Sequence, residues 1–299
     1  MSDKFIYVSG DSFLAGDELA DDTLMCWQQQ WGVHLRRSDI SKASPAEKKH
    51  ALHKFYSKFL NVMMAEIQGF SEQRLQQYKQ IKLERTFWNI LCKKNNWGYH
   101  VDALGASSQE ATLHRALLSF IDLEKQNKKI DLAIIGLSPY SRVTFFVNQN
   151  QTEHKNRKDN VYFSTSIANN IGYAKSLQHG FAFQSDHQND EVVAVESLLK
   201  IEHEKGNAIR YLNTLILTKV FFKEKTGKYP IFIDPGNCME ILYKFIDDTY
   251  YNDMLKEFLK DTVILRMSVT DYTCPGGHHA PSCHEKTAID FESTILTHL

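Results

Sequence analysis

Phe5-Ile6-Tyr7-Val8-Ser9-Gly10-Asp11-Ser12-Phe13-Leu14-Ala15-Gly16 decides the fold of this chain. Four strand-forming apolar residues run into a turn of Ser, Gly and Asp, and a short apolar stretch closed by Gly follows. A strand that stops in such a turn fits the central strand of an α/β sheet. Two further runs are similar. Ile130-Asp131-Leu132-Ala133-Ile134-Ile135-Gly136-Leu137 and Tyr229-Pro230-Ile231-Phe232-Ile233-Asp234 are short, β-branched and bounded by Gly or Pro. Near-continuous apolarity implies burial on both faces, which parallel strands require. Thr262-Val263-Ile264-Leu265 reads as a fourth strand and Tyr99-His100-Val101-Asp102-Ala103-Leu104 as a weaker fifth.

Helical patterns alternate with these runs. Thr86 to Lys94 precedes the weak strand, and Gln109 to Lys125 precedes the strong one at Ile130. Glu191 to Lys225 carries Val195, Leu198, Leu199, Leu212, Leu215 and Leu217, and Gly206-Asn207 predicts a break into two helices. The alternation predicts an α/β fold: a doubly wound, flavodoxin-like, mostly parallel sheet with helices on both faces. We expect one domain over 1–299, with two departures from the alternation. Residues 17–84 exceed any ordinary βα connection and read as a helical insertion after the first strand. Ser44-Pro45-Ala46-Glu47 forms a capping box there, followed by Leu52, Phe55, Phe59, Met63 and Ile67 at helical spacing. Such an insertion suits a lid over the carboxyl ends of the strands, and equally a packed surface hairpin. Residues 148–190 are polar, rich in Asn, Gln and His, and read as an irregular loop or subdomain.

Composition narrows the function classes. Of 299 residues, 42% are hydrophobic and 24% charged, with 14 Gly and 6 Pro, which excludes a disordered or collagenous chain. The formal net charge of -1 lacks the basic excess of a duplex nucleic-acid binder. The one basic cluster, Arg36, Arg37, Lys42, Lys48, Lys49 and Lys54, reads as the solvated face of the insertion. Trp27 and Trp31 share a helical face and suit packing or a pocket wall. Five scattered cysteines form no disulfide framework, and the N-terminus lacks an apolar signal-peptide core. The expectation is a cytoplasmic protein, neither membrane-bound nor nucleic-acid-binding.

A Ser at a strand's carboxyl end, in a Gly-flanked turn entering a helix, can be exposed as a nucleophile. Backbone N–H groups around the turn can meet a developing oxyanion. Gly-Asp-Ser alone equally suits a plain turn. Together with later segments, however, it resembles block I of the SGNH (GDSL) serine hydrolase family. The resemblance implies Ser12 as nucleophile, its N–H contributing to the oxyanion hole. Asp102-Ala103-Leu104-Gly105 resembles the second block, implying Gly105 as a further donor. The tail Gly276-Gly277-His278-His279-Ala280-Pro281, before a helix-like Lys286 to Leu299, resembles the last block, which carries the catalytic Asp and His. It implies His279, two residues before Pro281, as the base, with His278 the alternative. The chain resembles most the divergent members encoded by bacteriophages.

Two positions depart from the family. Its third block reads Gly-x-Asn-Asp, whose Asn is an oxyanion donor. Here the strand end reads Gly136-Leu137-Ser138-Pro139-Tyr140-Ser141-Arg142, leaving Ser138 or Arg142 as replacement donors. No Asp stands three residues before any tail histidine, so Asp271 is the nearest candidate partner, or the pair is a Ser–His dyad. Cys274, His278, His279, Cys283 and His284 also form a set of zinc-ligand types, but their spacing is not that of a usual finger. The resemblance implies an acyl-enzyme esterase that needs no cofactor and takes a small-molecule or carbohydrate ester, O-acetyl or other acyl. The alternative is a non-catalytic SGNH-fold protein, structural or glycan-binding, such as a phage component.

Overall fold

The computed structural model describes residues 4–16, 19, 71–103, 107–138, 142–146, 162–166, 204–235, 238–246, 249–267, 279 and 281–299. The chain divides into two compact units. One comprises Met1–Ala15, Asn96–Met267 and Thr294–Leu299, the other Gly16–Asn95 and Ser268–Ser293. The predicted helices between residues 44 and 69 lie outside the described residues.

The first unit is the α/β fold. Its strands are β1 (Phe5–Ser9), β2 (Gly98–Val101), β3 (Leu132–Gly136), β4 (Arg142–Phe146), β5 (Tyr162–Ser166), β6 (Ile231–Asp234) and β7 (Val263–Arg266). Five of them make one sheet in the order β2-β1-β3-β6-β7, every pair parallel. In β1, β3 and β6 residues of odd and even position are alike buried, so both faces are covered, as their uninterrupted apolarity requires. Ser9 pairs with Ile135, and Gly136 with Ile233, which aligns the carboxyl ends of the three central strands. β4 and β5 pair antiparallel as a separate two-stranded sheet, with Arg142 opposite Ser166. β5 lies within the stretch 148–190 that reads as an irregular loop or subdomain.

The described helices are α1 (Ser12–Ala15), α2 (Glu72–Glu84), α3 (Phe87–Asn95), α4 (Gln109–Lys125), α5 (Glu204–Thr226), α6 (Cys238–Phe245), α7 (Thr249–Leu259) and α8 (Pro281–His298). On one side of the sheet Tyr7, Ala133, Ile135 and Phe232 join Phe120, Leu123, Leu212, Leu215, Phe222, Leu242 and Phe258 in a single core. That core explains why Gly206-Asn207, where the sequence predicts a break, is helical within α5; the upstream part of the prediction, residues 191–203, lies outside the described residues. Ala208, Tyr211 and Leu212 are buried in the very next turn, and Asn207 Oδ1 accepts from the Arg210 guanidinium at 2.7 Å. Burial outweighs the cost of about 1 kcal/mol for a helical glycine. Lys219 on α5 is buried with its ammonium over the Tyr229 ring, donating to the carbonyls of Phe258 at 2.8 Å, Glu257 and Lys260. It caps the carboxyl end of α7, although burial depresses its pKa.

In the second unit Ser71 accepts from the Arg74 N–H and starts α2. Phe87 opens α3 with its N–H donated to His284 Nδ1 at 3.2 Å, and the two rings stack at 6.1 Å. His284 therefore holds its proton on Nε2 and satisfies a helix-start N–H. Cys92 and Cys283 are buried, and burial pushes the Cys92 thiol up to about 12. α8 starts at Pro281, with proline at the first helical position. No described helix is long and apolar enough to cross a membrane.

Candidate active site

β1 is flanked by β2 on one side and β3 on the other, so the chain order reverses between β1 and β3. Open parallel sheets bind ligands outside the carboxyl ends of the strands at such a switch point. Gly10 leaves β1 with φ +157°, and a Cβ on it would lie 3.0 Å from the Gly136 Cα. A Cβ on Gly136 would in turn strike the Leu14 side chain at 2.7 Å. The ends of β1 and β3 thus touch backbone to backbone, which only glycine allows.

The turn after β1 is shaped by its own residues. The buried Asp11 carboxylate accepts from the Phe13 N–H at 3.1 Å, and its carbonyl accepts from Ala15 N at 3.0 Å. This Asx turn sets Ser12 as the first residue of α1. Across the switch point Ser138 stands two residues past Gly136 and is fully buried. Its N–H donates to Gln109 Oε1 at 3.2 Å. Ser138 Oγ and Gln109 Nε2 are buried without a hydrogen-bond partner among the described residues.

One guanidinium links the loops after β1 and β2. Arg115 donates from Nη2 to the Gly10 carbonyl at 2.9 Å, from Nε to the Asp102 carbonyl at 2.9 Å, and from Nη1 to Ser107 Oγ at 2.8 Å. Beneath it the Asp102 carboxylate accepts from Tyr7 OH and from Ser119 Oγ at 2.9 Å. Burial, with the Asp102 charge beside it, raises the Tyr7 phenol well above its ordinary pKa. Tyr211 is also raised by burial, with Cys238, Asp234, Asp11 and Glu110 adding to it. The arrangement keeps two phenols neutral and fixes the turn that carries Ser12.

Of the residues singled out in the sequence, Ser12 and Ser138 fall at the carboxyl ends of neighbouring strands. Arg142 is the first residue of β4. His279 is buried, and it belongs to the second unit. Gly105, Asp271 and His278 lie outside the described residues. Among the described residues no three His, Cys, Asp or Glu side chains group as metal ligands. Arg115 and Gln109 were not singled out in the sequence. Arg115 is half-buried one turn past the buried Ala111 and Thr112 of α4, so a charge at the edge of the buried face was the available signal.

No family model and no curated protein matches the chain. Solved structures similar to it include carbohydrate esterases. One has an active site with divergent catalytic and non-catalytic binding functions (TM-score 0.46, 10% identity, 99% of this chain and 69% of that one). Another is an acetyl xylan esterase from the rumen bacterium Butyrivibrio proteoclasticus (0.44, 10%, 99% and 64%). A third is a family two carbohydrate esterase from Clostridium thermocellum in complex with cellohexaose (0.44, 9%, 99% and 65%). This chain spans about two thirds of the length of these neighbours. With TM-scores below 0.5, the fold rests on the strand order and parallel register described above rather than on this likeness.

Proposed function

We propose that the chain is a serine hydrolase of acyl esters, working through an acyl-enzyme on Ser12. The observation that carries this reading is the placement of the Gly10-Asp11-Ser12 turn at the carboxyl end of β1, on the sheet's switch point. Ser12 attacks the ester carbonyl while His279, or His278 in its place, takes the hydroxyl proton. That histidine is oriented by Asp271 or works as half of a dyad. The N–H groups of Ser12 and Gly105, assisted by Ser138 or Arg142, hold the tetrahedral oxyanion. The histidine then protonates the leaving alcohol and activates the water that frees the acid. The substrate class is a small acyl ester, such as an O-acetyl group on a carbohydrate.

The test is labelling by a fluorophosphonate probe, together with turnover of p-nitrophenyl acetate. Both should vanish in Ser12→Ala while the folded state persists. Activity above about a tenth of wild type would overturn the assignment, because loss of a nucleophile costs several orders of magnitude. The second reading is a non-catalytic scaffold, structural or glycan-binding, of the phage type. It is favoured by Ser138 standing where the family carries Asn, and it predicts an unlabelled protein.

A further inference from the structure

We infer that Gln109 is a catalytic residue that supplies the carboxamide missing from the third strand end, donating its Nε2–H to the oxyanion. The inference rests on the ester-hydrolase reading. The serine at position 138 offers a hydroxyl where the family carries an amide. Yet a carboxamide is present at that place, borrowed from another element. Gln109 opens α4, directly after the Ser108 cap, whose Oγ accepts from the Ala111 N–H at 3.2 Å. Its side chain reaches the end of β3 and accepts the Ser138 N–H at 3.2 Å.

That contact settles which way the amide faces. A backbone N–H only donates, so the atom receiving it is the carbonyl oxygen, and the NH₂ points elsewhere. Nε2 is buried, on a residue 1% exposed, and has no partner among the described residues. A buried donor without an acceptor is costly, and such groups persist where a ligand atom completes them. The site it adjoins is the one that would develop negative charge. Ser138 stands two residues past Gly136, Ser12 stands two past Gly10, and a Cβ on Gly10 would lie 3.0 Å from the Gly136 Cα.

The chemistry balances without a co-reactant other than water. Ser12 Oγ bonds to the carbonyl carbon, its proton passes to the histidine, and the carbonyl π electrons move onto oxygen. Gln109 donates a hydrogen bond to that oxygen and exchanges no proton. Collapse re-forms the carbonyl, expels the alkoxide and returns the histidine proton to it. Water repeats the sequence on the acyl-enzyme.

The experiment compares kcat and KM for p-nitrophenyl acetate, together with Tm, in wild type, Ser12→Ala, Gln109→Glu, Gln109→Ala and the double variant Gln109→Ala with Ser138→Asn. Gln109→Glu keeps the oxygen that receives the Ser138 N–H but removes the amide donor. We expect kcat to fall by about 10²–10³-fold with KM within about threefold, the loss associated with one oxyanion donor. Ser138→Asn should restore at least tenfold of kcat to Gln109→Ala by returning a carboxamide to the strand end itself. Wild-type turnover that depends on Ser12 while both single Gln109 variants stay within threefold would overturn this inference alone. Absence of wild-type turnover would overturn the hydrolase reading and the inference together. If Gln109→Glu fails to fold, the double variant decides: rescue supports the donor role, and no rescue overturns it.

Discussion

The two ends of the five-stranded sheet are built on opposite plans. At the amino end, charge is handled cheaply. Lys4 pairs with Asp131 at 3.6 Å, with 43% of its side chain exposed, and donates to the Leu299 carbonyl at 3.2 Å. Asp131 Oδ2 also accepts from the Phe5 N–H at 2.8 Å, and Lys228 donates to the carbonyls of His298 and Leu299. Most of these groups keep access to water. At the carboxyl end, Asp11, Ser107, Gln109, Ser138 and Asp234 are buried. Ser138 Oγ and Gln109 Nε2 there lack partners among the described residues. A sheet needs only its strands paired and its faces covered. Burying polar groups at one end and leaving capacity unused is the kind of local cost that accompanies a site.

The largest effect that could break this contrast is Gly10→Ala. A methyl there meets the Gly136 backbone at 3.0 Å on a residue of positive φ. Strain and overpacking together should remove about 2–4 kcal/mol of stability in denaturant titration, with activity lost. A change under about 0.5 kcal/mol would mean that the strand ends do not touch.

Arg115→Ala comes next, at about 2–3 kcal/mol, because charged donors to three acceptors disappear. Under the proposed function, turnover of p-nitrophenyl acetate should drop at least tenfold as the turn loosens. Arg115→Lys should recover little of it, since a single ammonium does not reproduce the planar fork. Full recovery by lysine would reduce Arg115 to a plain counter-charge.

Alkaline pH probes the same end. Tyr7 and Tyr211 keep their protons in the folded state at a pH where the unfolded chain begins to lose them. The folded state therefore binds more protons above about pH 10, and stability falls there by about 1.4 kcal/mol per pH unit per phenol. Below pH 10 neither contributes a slope. Tyr7→Phe should flatten the decline measured between pH 10 and 11, and an unchanged slope would contradict the burial assigned to Tyr7.

The smallest effect is expected at the amino end. Lys4→Met should cost about 0.5 kcal/mol or less and leave turnover unchanged, as exposed pairs usually do. A loss of activity there would erase the distinction between the two ends.

The parallel sheet was legible in the sequence because its signal is local. Runs such as Leu132–Gly136 are apolar at every position. The Gly10-Asp11-Ser12 turn was legible for the same reason, since turn chemistry resides in adjacent residues. β4 and β5 were not, because an antiparallel pair separated by 15 residues is specified by its partner rather than by its own pattern. Gly206-Asn207 is helical because its context is the core beneath α5. Gln109 and Arg115 escaped for a different reason. A polar residue on a helix reads as solvent-facing until packing buries it, and only the meeting of α4 with the ends of β1, β2 and β3 gives these two their partners.

The contact between Gly10 and Gly136 has an evolutionary consequence. A side-chain carbon on Gly10 would crowd the Gly136 backbone and one on Gly136 would strike Leu14, so neither position is open to gradual substitution. Diversification of the site is channelled to positions other than these two. Selection for a new substrate in a laboratory library would accordingly enrich changes in the loops that follow the strands and return both glycines untouched.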